Sequence, residues 1–179
     1  MSSNFDRVRE WRRELVRESS RQGHIKMVEP VPAILPMAEE CGEYADAPTP
    51  AERMDAIGDM AVTAIVLYDI KKGPPVAEIL LNEGYSPHPV VEDEPINAPI
   101  AMSISKCVGM IAEGLRKPLK EHQVAQGCAN LVQLARQAAH SHGYDFERDC
   151  LGPVCDILEA RLKEGYTFNA GTAVKKGDS

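Results

Sequence analysis

Five acids between positions 39 and 59 are the residues of this sequence best placed to do chemistry. Glu39, Glu40 and Glu43 fall in AEECGEYADA, and Asp55 and Asp59 fall in DAIGDMAVTAIVLY. Residues three or four apart share a helix face, so Glu40 points with Glu43 and Asp55 with Asp59. If the two segments lie antiparallel, four or five carboxylates converge. Like charges held that close repel one another. A hard divalent cation such as Mg²⁺ removes that cost and prefers oxygen ligands. The plain alternative is a solvated acidic face. It suits Glu39 and Glu52, since surface glutamates are common and Glu52 has a capping role. It suits Asp55 and Asp59 less well. Aspartate is a poor residue in a helix interior, and same-sign pairs at i,i+4 are unfavourable. Asp59 also borders the apolar stripe of Ala61, Val62 and Ile65.

The elements that must position these acids read as helices. Residues 4–19 place Phe5, Val8, Trp11, Leu15 and Val16 on one stripe, and the arginines around it read as a solvated flank. A second helix starts near Val31–Ala33 and runs to about Ala47, with Pro36 in its first turn. Thr49, Pro50 and Glu52 form a start signal, with Thr49 as cap and Glu52 closing a capping box. The third helix then runs to about Lys72. Gly58 inside it costs about 1 kcal/mol against alanine, which a close helix contact beside the acids would justify. Gly73-Pro74-Pro75 stops it, and Val76–Asn82 reads as a short helix. Residues 83–98 read as a connector, 99–116 and 119–142 as helices, and 146–163 as a last helix bent near Gly152-Pro153. Gly143 fits a helix C-terminus. No strand alternation of useful length appears, and the tail 164–179 reads as featureless and frayed. The fold class is therefore all-α, a single domain of 1–179. Its first half, 1–82, carries the acids, and its second, 99–163, lacks them.

A shift of 70 residues gives a weak internal repeat. Glu43 falls on Glu113, Val62 on Val132 and Gly73 on Gly143, while Glu39, Glu40, Asp55 and Asp59 fall on Gly109, Met110, Ala125 and Ala129. A pseudo-twofold bundle of this kind has one acidic site and one emptied site.

Composition sets the remaining bounds. The chain has 179 residues, 44 % of them hydrophobic and 26 % charged, and a net charge of −7. That charge does not favour a nucleic-acid surface, which needs basic patches. Cys41, Cys107, Cys128, Cys150 and Cys155 are odd in number and form no CxxC, so they read as buried reduced thiols in a cytoplasmic setting. No apolar run approaches a membrane span. The arginines near the N-terminus alternate with Asp6, Glu10, Glu14 and Glu18, which does not suit a targeting peptide.

AEECGEYADA followed by ERMDAIGDMAVTAIVLYDIKKG resembles the MazG-like all-α nucleoside triphosphate pyrophosphohydrolases, especially the small type found in bacteriophages. The C-terminal stretch from Gly143 resembles the closing helix and tail of the same proteins. The resemblance implies a helical bundle with a four-helix core. It implies cleavage of an NTP or dNTP to the monophosphate and pyrophosphate, with Mg²⁺ or Mn²⁺. Matched by position, Glu40 and Glu43 are the first metal-binding pair and Asp59 the final aspartate. Most members carry a glutamate three residues before that aspartate; here Ala56 stands there, and Asp55 is the nearest acid that could supply the oxygen. The metal set is then Glu40, Glu43, Asp55 and Asp59, and Glu39, with Asp55 second, is the candidate to orient or deprotonate the attacking water. The match is best over 35–73, and 74–128 fits either a fused second copy or an insertion.

Substrate phosphates call for basic residues. Lys71 and Lys72 are first choices, with Arg116, Lys117, Lys120, Lys175 and Lys176 available, though each is more simply a surface charge. Trp11, Tyr44, Tyr68 and Asn130 are candidate walls for a base, with Trp11 more simply a core anchor. The expected partner is a nucleoside triphosphate, with no nucleic acid and no membrane, and the expected assembly is a homo-oligomer, by preference a homodimer. The rival readings are an inactive helical regulatory module and a bundle that binds a protein through Trp11.

Overall fold

The computed structural model describes residues 3–21, 34–70, 97–169 and 172–175. Those residues form an all-α helical bundle with a short C-terminal hairpin. Helix α1 spans Asn4–Arg21, α2 Ile34–Asp46, α3 Pro50–Ile70, α4 Asn97–Arg116, α5 His122–Ser141 and α6 Gly152–Lys163. A 3₁₀ turn at Pro118–Lys120 leads into α5, and a π-helical turn at Phe146–Leu151 leads into α6.

Helix α3 is the axis of the bundle. It buries Ala56, Ile57, Gly58, Met60, Ala61, Val62, Ala64, Ile65, Leu67 and Tyr68. A helix apolar around most of its circumference must be covered on several sides. It is covered by α2, α5, α1, the π turn and α6. The α2–α3 and α4–α5 pairs stack as two hairpins, α3 against α5 and α2 against α4. Met37, Tyr44, Ile104, Ile111, Val124 and Leu131 complete this core.

Local signals in the sequence set the turns. Thr49 Oγ1 accepts the Glu52 N–H at 3.2 Å, and Glu52 Oε2 accepts the Thr49 N–H at 3.1 Å. This is the expected capping box, and it forces the chain to reverse within three residues between α2 and α3. Gly143 has φ +77°. Its N–H donates to the His140 carbonyl and the Tyr144 N–H to that of Ala139, the paired bonds that close a helix through a left-handed residue. The bend expected near Gly152-Pro153 is the π turn, in which the Gly152 N–H reaches back to the Glu147 carbonyl. Pro153 has no N–H to continue a regular ladder.

The tail departs from expectation. Tyr166–Asn169 pairs antiparallel with Thr172–Lys175, Tyr166 opposite Lys175 and Asn169 opposite Thr172. Aromatic and β-branched residues fill both segments, and Ala170-Gly171 falls between them in the sequence. Four residues per strand are too few for alternation to show. The connector also ends early, since Asn97 and Ala98 already belong to α4. The helix expected at Val76–Asn82 lies outside the described residues.

Arg7, Arg9 and Arg12 of α1 are structural ties, while Arg13, Arg17 and Arg21 pair within the helix as a solvated flank. Arg7 Nε donates to Glu159 Oε1 at 2.7 Å, and Arg7 also pairs with Asp156, fixing α1 to α6. Arg9 and Arg12 both pair with Asp69 of α3. Trp11 is buried in the core. The five cysteines are free; four are buried and Cys41 is half-buried. Burial pushes the Cys41 thiol up to about 12 and that of Cys107 to about 11, which keeps them unreactive. No helix of the described residues is long and apolar enough to cross a membrane.

Gly58 has the close contact its position called for. A Cβ there would stand 2.6 Å from the Cys150 carbonyl oxygen and 2.7 Å from Val154 Cγ2. Gly58→Ala should therefore lose about 1–3 kcal/mol to overpacking, more than the helix-propensity gain of about 1 kcal/mol. Thermal unfolding of G58A checks this: a melting temperature at or above wild type would contradict the contact.

Candidate functional site

The hairpin connection sets the acids of α2 beside those of α3. Glu40 and Asp59 are half-buried at this seam, while Glu39, Glu43 and Asp55 are exposed along it. Burial pushes the Glu40 carboxyl up to about 8, and Asp59, Glu43, Glu39 and Asp55 add to the rise in that order. Burial, then Asp55 and, more weakly, Glu43, push Asp59 up to about 6, against the opposing charge of Arg161. All five acids singled out in the sequence thus share one electrostatic field. Asp59 is the strongest charged neighbour of Glu40, as expected for facing positions on two antiparallel helices. Asp55 is the strongest charged neighbour raising Asp59, as i,i+4 spacing requires. Ala56, at the position where the resemblance calls for an acid, is buried in the core.

These groups stand apart in the described conformation. Among the described residues no three His, Cys, Asp or Glu side chains are close enough to hold a metal ion together. The chemistry of the donor set still suits a hard cation: carboxylate oxygens on two helices, two of them desolvated and short of positive charge.

Lys71, Lys72 and Lys176 lie outside the described residues. Lys117 and Lys120 pair with Glu113 at 2.6 and 2.9 Å, and those contacts hold the Glu113 carboxyl at about 2. Arg116 is exposed at the end of α4, and Lys175 lies in β2. Trp11 is in the core, as its simpler reading had it. Asn130 Oδ1 accepts from Gln126 Nε2 at 2.9 Å. Tyr44 and Tyr68 are buried. The Tyr44 hydroxyl lies 3.4 Å from His142 Nε2, and the His142 ring stacks on Tyr144. Burial and the charge of Arg53 lower His142, so this aromatic group is neutral at physiological pH.

Arg161 on α6 went unnoticed in the sequence. The signal was present: it follows Val154 by seven residues and Leu158 by three, on the face those buried residues turn inward. Without the docking of α6 on α3, nothing linked that face to the acids.

The 70-residue shift can be laid on the helix ranges. It carries Ile34–Asp46 onto 104–116, the C-terminal part of α4, and Pro50–Ile70 onto 120–140, which overlies α5. In the second hairpin Ala129 is buried where the first has Asp59, and Glu113 is tied to its own lysines where the first has Glu43. No protein-family model, curated protein or solved structure matches the chain.

Proposed function

We propose that this chain is a metal-dependent pyrophosphohydrolase of the MazG-like kind, cleaving a nucleoside or deoxynucleoside triphosphate to the monophosphate and pyrophosphate. The observation that supports the reading is the acidic seam between α2 and α3: Glu40 and Asp59, on different helices, are each half-buried, with Glu40 raised by burial and the charge of Asp59, and Asp59 by burial and the charge of Asp55. A fold does not keep such a seam for stability. Strained, self-repelling acids mark a place where something positive binds.

Glu40, Glu43, Asp55 and Asp59 would hold Mg²⁺ or Mn²⁺. Such a cation neutralises phosphate oxygens and makes a bound water more acidic. Water attacks the α-phosphorus, the bond to the bridging oxygen breaks, and pyrophosphate leaves. Glu39, exposed at the edge of the seam, orients that water or takes its proton, with Asp55 the other candidate. Helices α4 and α5 are a second copy of α2 and α3 that has lost its acids. A homodimer is the preferred assembly, with the fused copy replacing one contact between chains.

A second reading is an inactive regulatory or protein-binding module. It is favoured by the burial of Ala56 where an acid is usual and by the absence of a three-acid cluster among the described residues. One panel separates them. The chain is incubated with the eight common NTPs and dNTPs, with and without Mg²⁺ or Mn²⁺, and the products are resolved. The hydrolase reading expects pyrophosphate and a monophosphate only with metal, and no orthophosphate. No product from any of the eight supports the module.

A further inference from the structure

Two helices of the bundle show the solvent what helices normally cover. Leu35 on α2 is 72 % exposed, and Met102 on α4 is 64 % exposed. Each stands seven residues before a glycine on the same face, Gly42 on α2 and Gly109 on α4. A glycine inside a helix costs about 1 kcal/mol against alanine, and elsewhere in this fold a close contact accounts for it. A Cβ at Gly58, Gly114, Gly127 or Gly152 would stand 2.6, 2.8, 2.5 or 2.9 Å from a neighbouring group. At Gly42 and Gly109 no described atom lies within 4 Å. Ala38 and Ala45 flank the first, Ser105 and Ala112 the second, and all four are exposed.

These faces adjoin. Ala38, Gly42 and Ala45 lie on the side of α2 away from Glu40 and the seam. On α4, Ile111 and Gly114 are turned to Gly127 and Val124 of α5, and Ser105, Gly109 and Ala112 lie on the side away from that contact. Since α2 lies on α3, α4 on α5 and α2 beside α4, both faces look out of the bundle away from α3 and α5. Their rims are opposite in sign. Helix α2 has no Lys or Arg and exposes Glu39 and Asp46, whereas α4 exposes Lys106 and Arg116. None of these four forms an ion pair among the described residues.

We propose that this face docks a second copy of the chain, α2 of each copy lying across α4 of the other about a twofold axis. A twofold contact uses one patch on both copies, so the patch must complement itself. Here it does: the acid-rimmed helix of one copy meets the base-rimmed helix of the other. The bare glycines let the helices approach closely, and Leu35 and Met102 lose their contact with water. This rests on the homodimer preferred above and not on hydrolysis, since the face lies away from the acidic seam.

Sedimentation equilibrium of the full 19.6 kDa chain tests it, as wild type, G42Q/G109Q, L35Q/M102Q and I157Q. Glutamine is a good helix former and meets open space at both glycines, so circular dichroism should show the fold intact. Wild type should sediment at twice the chain mass. G42Q/G109Q should weaken the dimer by about 10–100-fold, because side chains are forced into a close contact, and L35Q/M102Q should weaken it as well. I157Q alters an exposed apolar residue on α6, off this face, and should leave the dimer as it is. If one double variant unfolds, the other decides. A dimer that the folded double variants leave intact, or that I157Q weakens equally, overturns the face and keeps the homodimer. A wild-type chain that stays monomeric overturns both and leaves the face to a different partner.

Discussion

Asp59→Ala should lose at least about 100-fold in turnover and gain stability at the same time. Loss of even an outer partner of a metal site typically costs about 10–100-fold, and Asp59 would be a ligand itself. Its carboxyl is half-buried on α3, raised to about 6, and has Asp55 as its strongest charged neighbour. Alanine removes the desolvated acid and is the better helix former. The gain should be about 1 kcal/mol above pH 6, or roughly 2–4 °C in melting temperature for a chain of this size. Opposite signs for activity and stability are what a site that works against its own fold predicts. Glu113→Ala is the control. Glu113 is the residue on which Glu43 falls under the 70-residue shift, and its partners Lys117 and Lys120 are surface lysines. Its turnover should stay near wild type. Wild-type turnover in D59A refutes the site, and a large loss in E113A shows that the second hairpin takes part in the chemistry.

The metal-free protein should melt lower at pH 8 than at about pH 6.5. An acid whose folded value lies above its unfolded one stabilises the fold while protonated. Its contribution is whole below the unfolded value and is lost as pH rises through the folded one. For Asp59 that window runs from 3.8 to about 6, and for Glu40 from 4.5 to about 8. The lowered groups act elsewhere: Glu113 and Asp149 change stability only at acid pH, and His142 below its ordinary value of 6.5. Glu40 thus dominates between about pH 6.5 and 8. Solvent screening of a half-exposed carboxylate reduces the full linkage to about 1 kcal/mol, or roughly 2–4 °C. Mn²⁺ must displace the Glu40 proton to bind, so its stabilising effect should be larger at pH 8 than at 6.5. Glu40→Gln should flatten both dependences. A melting temperature that rises over this interval without metal would contradict the burial and crowding of Glu40.

Much of the seam was legible in the sequence because its determinants are local. The i,i+3 and i,i+4 spacings put Glu40 with Glu43 and Asp55 with Asp59, and the capping box of Thr49 with Glu52 turns the chain so that the acids of α3 lie within the field of Glu40. Gly58 and Gly143 also declared themselves, one as a helix glycine needing a neighbour and the other as a left-handed end. What was not legible depends on contacts far apart along the chain. Arg7 looked like solvated flank because Glu159 lies 152 residues away. Arg161 drew no reading at all, because only the docking of α6 on α3 relates its helix to the acids. The hairpin after α6 was hidden by its short strands. Lys117 and Lys120 were offered to phosphates although their partner Glu113 lies on the same side of the turn, an i,i+4 pair in the first case.

If α2 and α3 together hold a divalent cation, the metal-free chain should take up Mn²⁺. A titration of the metal-free chain with Mn²⁺ at about pH 8, read by the loss of the free-ion electron spin resonance signal with and without inorganic triphosphate, tests it most directly. Saturable uptake by wild type, lost in the E40Q/D59N double variant with its helical signal intact, is the predicted result. No uptake under either condition, or uptake that the double variant retains, would contradict the account.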